Sequence, residues 1–595
     1  MRLPELNDIP TERDMISVFN GYNHNLVIEE NEFYDMRNMS SSSYPSLSPR
    51  KKRGILSSIK LNDESSYSLT SPEGILSKDA LCVIDGKDVV INGYKIPDFV
   101  SDDESMLPKH IVSMGAYVII FPDKKYINTQ NMTSDKGSLE AKRVLKEGTV
   151  TFTVSDIDGV DYDAGIDKPE SPADGQYWLD IENKSLKQYS ADRGEWISVP
   201  VVYIKMTYDD IGETFNQYDA VYLDGITAAG VESLNQKTSV IYKTGSDYLL
   251  FVGLIDNAVQ AAQSLSEASP VTVYRKVPDM DYICESQNRL WGCRYGIVGG
   301  NPVNEIYASK LGDPKNFYCY MGLSTDSYAV SVGSDGVFTG AATHLGYPIF
   351  FKENCFHKIY GSYPAQYQVQ TTNARGVQKG SFRSLCTVNE TLFYKSAKDI
   401  VAYDGSLPSG ISAPLGNVYY KNAAAGSVGG KYYVSMQSSD GDWNMFVFDT
   451  EKGLWHKEDE TQASMFCCHD NDLYFIDASD NKIKSVSSSS GTAEEDVEWF
   501  CESGIIGFEY PNNKYVSNFH IRMLPAKDAK VSAYIKYDSV GDWEHKGTVE
   551  GKTLRSFVLP VIPRRCDHFK IKLEGRGDVK IISFSKVLET GSSVV

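Results

Sequence analysis

Cys467-Cys468-His469-Asp470 sets two thiols, an imidazole and a carboxylate side by side, the residue types of metal ligation and nucleophilic catalysis. The flanking text, Met465-Phe466 before and Asp472-Leu473-Tyr474-Phe475 after, reads as strands, where cysteine is normally a buried small hydrophobe. The structural reading is therefore preferred. Asp470-Asn471-Asp472 offers carboxylates to calcium without EF-hand spacing or a closing bidentate glutamate. Asp440, Asp442, Asp470, Asp472, Asp477 and Asp480 stand at loop tips and read as turn formers. Abundant carboxylates allow a glycosidase pair in principle, and the sequence singles out none. No Walker A sequence, GxSxG elbow, HExxH helix or dinucleotide fingerprint occurs. No catalytic residue, metal ligand or cofactor site is assigned on these grounds. Two groups remain as contact candidates. Tyr177, Trp178, Tyr189 and Trp196 have the rings to stack on sugar, although their alternation suits core packing better. Arg50, Lys51, Lys52 and Arg53 form an uninterrupted basic run.

The surroundings restrict what that basic run does. Lys and Arg total 59 against 79 Asp and Glu, a net charge of −20, which argues against general nucleic-acid gripping. The balance suits solubility, or a surface that must not hold a polyanion passing close by. Tyr44-Pro45 and Ser48-Pro49 impose extended backbone ahead of the run, and Gly54 releases the chain into Ile55-Leu56. The run is expected to dock on an acidic surface of a neighbouring blade or subunit. The N-terminus lacks the apolar stretch of a secretory signal, and no apolar run approaches a membrane span of about 20 residues. Synthesis in a cytosol is expected. Ten scattered cysteines without CxxC spacing read as buried thiols of a reducing compartment.

The elements that must position these groups are strands. Period-two alternation recurs with turn signals between, as in Leu81-Cys82-Val83-Ile84, Asp85-Gly86, Val89-Val90-Ile91, Asn92-Gly93, Tyr94-Lys95-Ile96. A unit of small apolar strand, aromatic-rich strand and closing strand repeats about every 40 to 55 residues. Five units follow residue 276 and two precede 130. The expected fold is all-β: a six- or seven-bladed β-propeller with an inserted mostly-β domain and a C-terminal β-sandwich. Expected boundaries are 1–134 for the lead-in and first blades, 135–275 for the insertion, 276–490 for the remaining blades, and 491–595 for the sandwich. Ile16-Ser17-Val18-Phe19 is the expected strand that closes the last blade, Ser487 to Asp496 a linker. Helical patterns appear at Ser138 to Glu147 and near Asn257 to Leu265.

The run "NEFYDMRNMSSSSYPSLSPRKKRG", Asn31 to Gly54, resembles the start of tailed-phage virion proteins that end in an all-β module. "KVSAYIKYDSVGDW" (Lys530 to Trp543) and the text from Ser556 to Ser593 match such an ending. The blades between look like those of the tail nozzle, or packaged-DNA stabilisation, proteins of short-tailed phages. The end motifs cover about a fifth of the chain.

This resemblance implies a non-enzymatic structural component of a phage tail. Copies would form a homo-oligomeric ring around the DNA exit channel, retaining packaged DNA and passing it on infection. Partners would be other tail or connector proteins, genomic DNA in passing, and the host surface; the location would be the virion. The tryptophan meander of the insertion, Lys168 to Pro200, looks like modules of phage fibre and tail proteins. Two alternatives stay open: a receptor- or glycan-binding tail protein and, less favoured, a propeller glycosidase.

Overall fold

Val118-Ile119-Ile120-Phe121 and Leu473-Tyr474-Phe475-Ile476 bury four consecutive side chains each. A strand does this only when both faces of its sheet are covered, and face-to-face stacking of small sheets supplies that cover. The computed structural model describes residues 11–253, 260–488, 490–507, 513–551, 555–558 and 564–590. Its regular elements there are strands and short 3₁₀ turns. Among the described residues no helix is long and apolar enough to cross a membrane.

Seven antiparallel meanders are present among the described residues, built in chain order from 72–96, 110–138, 282–331, 340–372, 386–410, 420–457 and 463–485. They are the blades of a propeller, here numbered one to seven. Asn92 (φ 50°) and Gly93 (φ 73°) make the left-handed turn closing blade one, as the Asn-Gly signal predicts.

The chain divides into two compact bodies: 1–104, 350–357 and 371–595 in the first, 105–349 and 358–370 in the second. In the first, blade five packs on six, six on seven and seven on one. In the second, blade two packs on three and three on four.

The first 56 residues supply strands to three sheets that the distant C-terminal part builds. Thr11–Ile16 pairs with Val579–Thr590, in the register Thr11 to Glu589 and Ile16 to Phe584. Phe33–Arg37 pairs with Glu498–Ser503 in the facing sheet. Gly54–Leu56 pairs with Lys482–Ser485 as the fourth strand of blade seven. The expected closing strand at Ile16 to Phe19 is thus corrected. The chain there belongs to the sandwich, where Phe19 meets Phe33 and Phe584 at ring separations of 5.7 and 5.1 Å. Closure falls to Gly54, whose position tolerates no side chain: a Cβ would meet the Ser490 carbonyl oxygen at 2.0 Å. The expected linker is also structured, since Thr492–Ala493 adds a strand beside Gly54–Ile55.

The sandwich stacks two five-stranded sheets. Val531, Ile535, Ile571 and Leu573 from one, and Val516, Ile521, Ile581 and Phe584 from the other, share a buried core with blades five and six.

In the second body, the insertion forms an eight-stranded sheet from Ala141–Leu145 to Val271–Arg275, with a four-stranded meander at 164–198. Its core includes Phe152, Ile204, Leu223, Phe251 and Val273. The expected helix at Ser138 to Glu147 is corrected to the strand Ala141–Leu145, whose alternation of part-buried and exposed residues has period two. Of the second helical expectation, residues 260–265 carry the strand Ala261–Ser264, and 257–259 lie outside the described residues.

Candidate functional site

The basic run, in extended chain between Ser48–Pro49 and Gly54–Leu56, separates into a buried pair, Arg50 and Arg53, flanking an exposed pair, Lys51 and Lys52. Arg53 is 3% exposed, and its guanidinium lies 2.7 Å from Glu458 and 2.8 Å from Asp459. It also donates to Thr461 Oγ1 at 2.8 Å and lies over the Phe475 ring. Arg50, also buried, donates through Nη1 to Glu494 and lies 3.5 Å from Asp459. The backbone N–H of Arg53 donates to Glu494 at 2.7 Å. Burial opposes ionisation of Asp459, but Arg53 and Arg50 outweigh it and hold its carboxyl far below the usual range. Removing one partner from such a cluster leaves an uncompensated buried charge.

Of the four expected docking residues, Arg50 and Arg53 are therefore engaged inside their own chain, on the connection after blade six. Lys51 and Lys52 face outward, with Lys52 2.5 Å from Asp496.

The aromatic quartet also divides. In the meander of the insertion, Tyr177–Asp180 pairs with Ser185–Ser190, which pairs with Glu195–Ser198. Tyr177 turns inward toward Leu179, Leu186, Val154 and Val202. Trp178, Tyr189 and Trp196 share the opposite face by register, since Trp178 is opposite Lys187 and Tyr189 is opposite Trp196. Trp196 lies 5.5 Å from Trp178 and 5.4 Å from Tyr189, centroid to centroid. All three rings are half-buried, and the indole N–H of Trp178 donates to the Ile166 carbonyl.

The Lys168 and Lys187 ammoniums lie 5.3 and 4.9 Å from the Trp178 ring. Lys187 also bonds Asp180 at 2.6 Å; with Asn183 it holds that carboxyl at about 2. The face thus combines tilted aromatic rings with fixed polar groups. Tyr177 packs on the core beneath, and Trp178, Tyr189 and Trp196 pack on one another on the other face.

Cys467-Cys468-His469-Asp470 spans the end of the strand Ala463–His469 and its turn. His469 Nδ1 lies 2.9 Å from Ser77 Oγ, tying blade seven to blade one. Burial pushes the Cys467 thiol up to about 12, where it is inert. Cys468, by contrast, is exposed, unlike the buried thiol expected there. Among the described residues no group of three or more His, Cys, Asp or Glu is placed to hold a metal ion.

The sequence reading passed over one constellation. Ser539 Oγ lies 2.8 Å from His568 Nε2, and His568 Nδ1 lies 3.0 Å from Asp567. Ser539 and His568 are 29 residues apart, brought together by the pairing of Lys530–Tyr537 with Phe569–Arg576 and by bonds of Asp538 to the His568 segment. The geometry resembles a catalytic triad, but its carboxylate is half exposed and its serine sits in a surface turn. Asp538 and Ser539 both have positive φ (51° and 54°), and Asp538 accepts from the backbone N–H of Asp567 at 2.7 Å. These bonds lock the turn.

The buried carboxylates are occupied in similar ways. Asp85 accepts from the N–H of Thr70, Asp326 from that of Leu323, and Asp477 from that of Ser479.

No family model matches the chain, and no curated protein matches it. Solved structures similar to it include an exo-β-1,3-galactanase from Phanerochaete chrysosporium, at 7% identity over 51% of this chain and 94% of that one, TM-score 0.21. A sialidase from Trypanosoma rangeli aligns at 9% identity over 70% of this chain and 96% of that one, TM-score 0.23. A family 43 arabinoxylan arabinofuranohydrolase from Bacillus subtilis aligns at 7% identity over 67% and 92%, TM-score 0.15. The expectation of a non-enzymatic chain is corrected by these alignments, since the structures named are glycoside hydrolases. Identities of this size leave the activities with those enzymes.

Proposed function

We propose that this chain is a structural component of a bacteriophage tail, whose copies form a ring around the channel through which packaged DNA is retained and then passed. One observation carries the reading. The two stretches that bear the resemblance lie at opposite ends of the sequence, yet they build one body. Phe33–Arg37 joins the sheet of Lys530–Tyr537 and Phe569–Arg576. Leu47 bridges to Ile581, and Gly54–Leu56 completes blade seven. The two motifs are thus parts of one module. The net charge of −20 supports the same reading, because a like-charged wall lets DNA slide without holding it. Electron microscopy of the purified full-length chain, and antibody labelling of particles, tests it. Ring-shaped oligomers and label at the tail are expected; a monomer at all concentrations, with unlabelled particles, overturns it.

A second reading rests on the outward face of Trp178, Tyr189 and Trp196: the insertion contacts a glycan on the host surface. Between residues 164 and 200 stand seven carboxylates against four basic side chains. This balance favours a neutral polyol over a polyanion. Binding of the full chain to a panel of neutral and acidic glycans, with and without Trp178→Ala and Trp196→Ala, separates this contact from a spacer role.

A further inference from the structure

Two surfaces of the first body carry apolar residues in the open, and they differ in charge. The first is the loop after Tyr22. It is pinned at its base: Tyr22 N–H donates to the Trp455 carbonyl at 2.7 Å, His24 N–H to that of Pro414 at 2.8 Å, and the Asn25 side chain to that of Ala413 at 3.0 Å. The pinned loop holds Leu26 and Val27 outward, 84% and 78% exposed. Scattered surface leucines are ordinary, but two adjacent apolar side chains presented on an anchored loop are not. Met15 and Val18 extend the apolar area around a cleft of about 980 Å³, and Asp14 and Glu29 stand exposed beside it. The result is an apolar knob with an acidic border.

The second surface is a groove of about 740 Å³ where the N-terminal run meets the strand ends at Leu524 and Lys580 in the sandwich. Leu524, 40% exposed, is in register with Lys580, and Pro49 and Ala526 add to the apolar lining beside it. Lys51, Lys52 and Lys580 border it, with Asp578 as the acid among them. This is an apolar socket with a basic border, formed partly by the outward pair of the basic run.

The two surfaces complement each other in polarity and charge, but one copy does not satisfy itself. Lys586 lines the cleft beside the knob and Lys580 lines the socket. They stand on one strand, Val579–Thr590, six residues and thus ~20 Å apart. We infer that the Leu26–Val27 knob of one copy seats in the Leu524–Lys580 socket of the next. Different patches then meet at each contact, which is a heterologous interface, and its repetition closes a ring or extends a filament. The inference rests on the assembly reading above in one respect, that copies associate.

The test uses the full-length chain, followed by light scattering on a sizing column and by electron microscopy. A knob variant carries Leu26→Asp and Val27→Asp; a socket variant carries Lys51→Glu and Lys580→Glu. Each alone is expected to be folded, by an unchanged melting curve, and monomeric, with assembly weakened at least tenfold. Mixed in equal amounts, they are expected to form dimers and stop, because only one intact knob faces one intact socket. Wild-type oligomers that both variants leave unchanged overturn this contact while the ring reading stands. Monomeric wild type overturns both. Variants that remain monomeric on mixing overturn the pairing of these two surfaces.

Discussion

Arg53 and Asp459 stand 406 positions apart in sequence and 2.8 Å apart in space, both buried, and Glu458 completes the contact at 2.7 Å. This pair fastens the N-terminal run to the connection between blades six and seven, beside the strand that closes blade seven. Arg53→Met removes the cation and leaves two carboxylates inside. A loss of about 3–5 kcal/mol is expected, read from urea denaturation. Lys51→Ala, on the exposed side of the same run, is expected to stay within about 0.5 kcal/mol. Equal effects of the two substitutions would contradict the division of the run.

Gly54 has the Ser490 carbonyl oxygen where a Cβ would lie, at 2.0 Å. Gly54→Ala forces backbone apart in the closing strand and is expected to cost about 1–3 kcal/mol. Amide exchange read for Lys482–Ser485 should accelerate more than that for blade five. Uniform acceleration would place the damage elsewhere.

His357 and His456 are buried and lie below the ordinary histidine range, at about 4 and about 3. Burial is the main cause for both; Lys352 adds to it for His357, and Lys431 for His456. The unfolded chain therefore takes up these protons first, near pH 6.5. Their contribution is complete above that value and declines as pH falls toward about 4, by at most about 1.4 kcal/mol per pH unit for each histidine. Denaturation midpoints between pH 7.5 and 5 should show this slope. His357→Gln with His456→Gln should flatten it, and an unaltered slope would assign the acid sensitivity to other groups.

Leu186 is fully buried beneath the meander, whereas Trp196 lies on its outer face. Leu186→Ala is expected to cost about 2–5 kcal/mol. Trp196→Ala, with part of its ring already in water, should cost less, and glycan retention is the property it should change. Thermal melts paired with glycan binding measure both. A larger loss from Trp196 would return that ring to a packing role.

The blades were legible because hairpin chemistry and alternation are local. Asn92-Gly93 supplies both residues of its turn, whereas the turn expected at Asp85-Gly86 falls one residue later, at Gly86-Lys87, with Asp85 paired to Asp88 in the strand. Runs such as Val118 to Phe121 mark a strand buried on both faces. The strand at Ala141–Leu145 was misread because its Lys, Arg and Leu residues favour helix on their own, and pairing with Val271–Arg275 overrides that preference. The aromatic quartet was found, but not its division, because the face a ring occupies depends on register with a partner strand.

The sequence by itself determined the all-β class, the blade repeat, the insertion and the sandwich, since each follows from residues close together in the chain. It also marked the Asn31 to Gly54 run as unusual. Only the tertiary structure decided what that run does: Arg50 and Arg53 turn inward onto Glu494, Glu458 and Asp459, while Lys51 and Lys52 remain outside. It likewise decided that the closing strand is Gly54–Leu56, with Thr11–Ile16 assigned to the sandwich. The reason is common to both. Buried ion pairs and strand partners join residues more than 400 positions apart, and no local pattern records which distant group will be there to receive them.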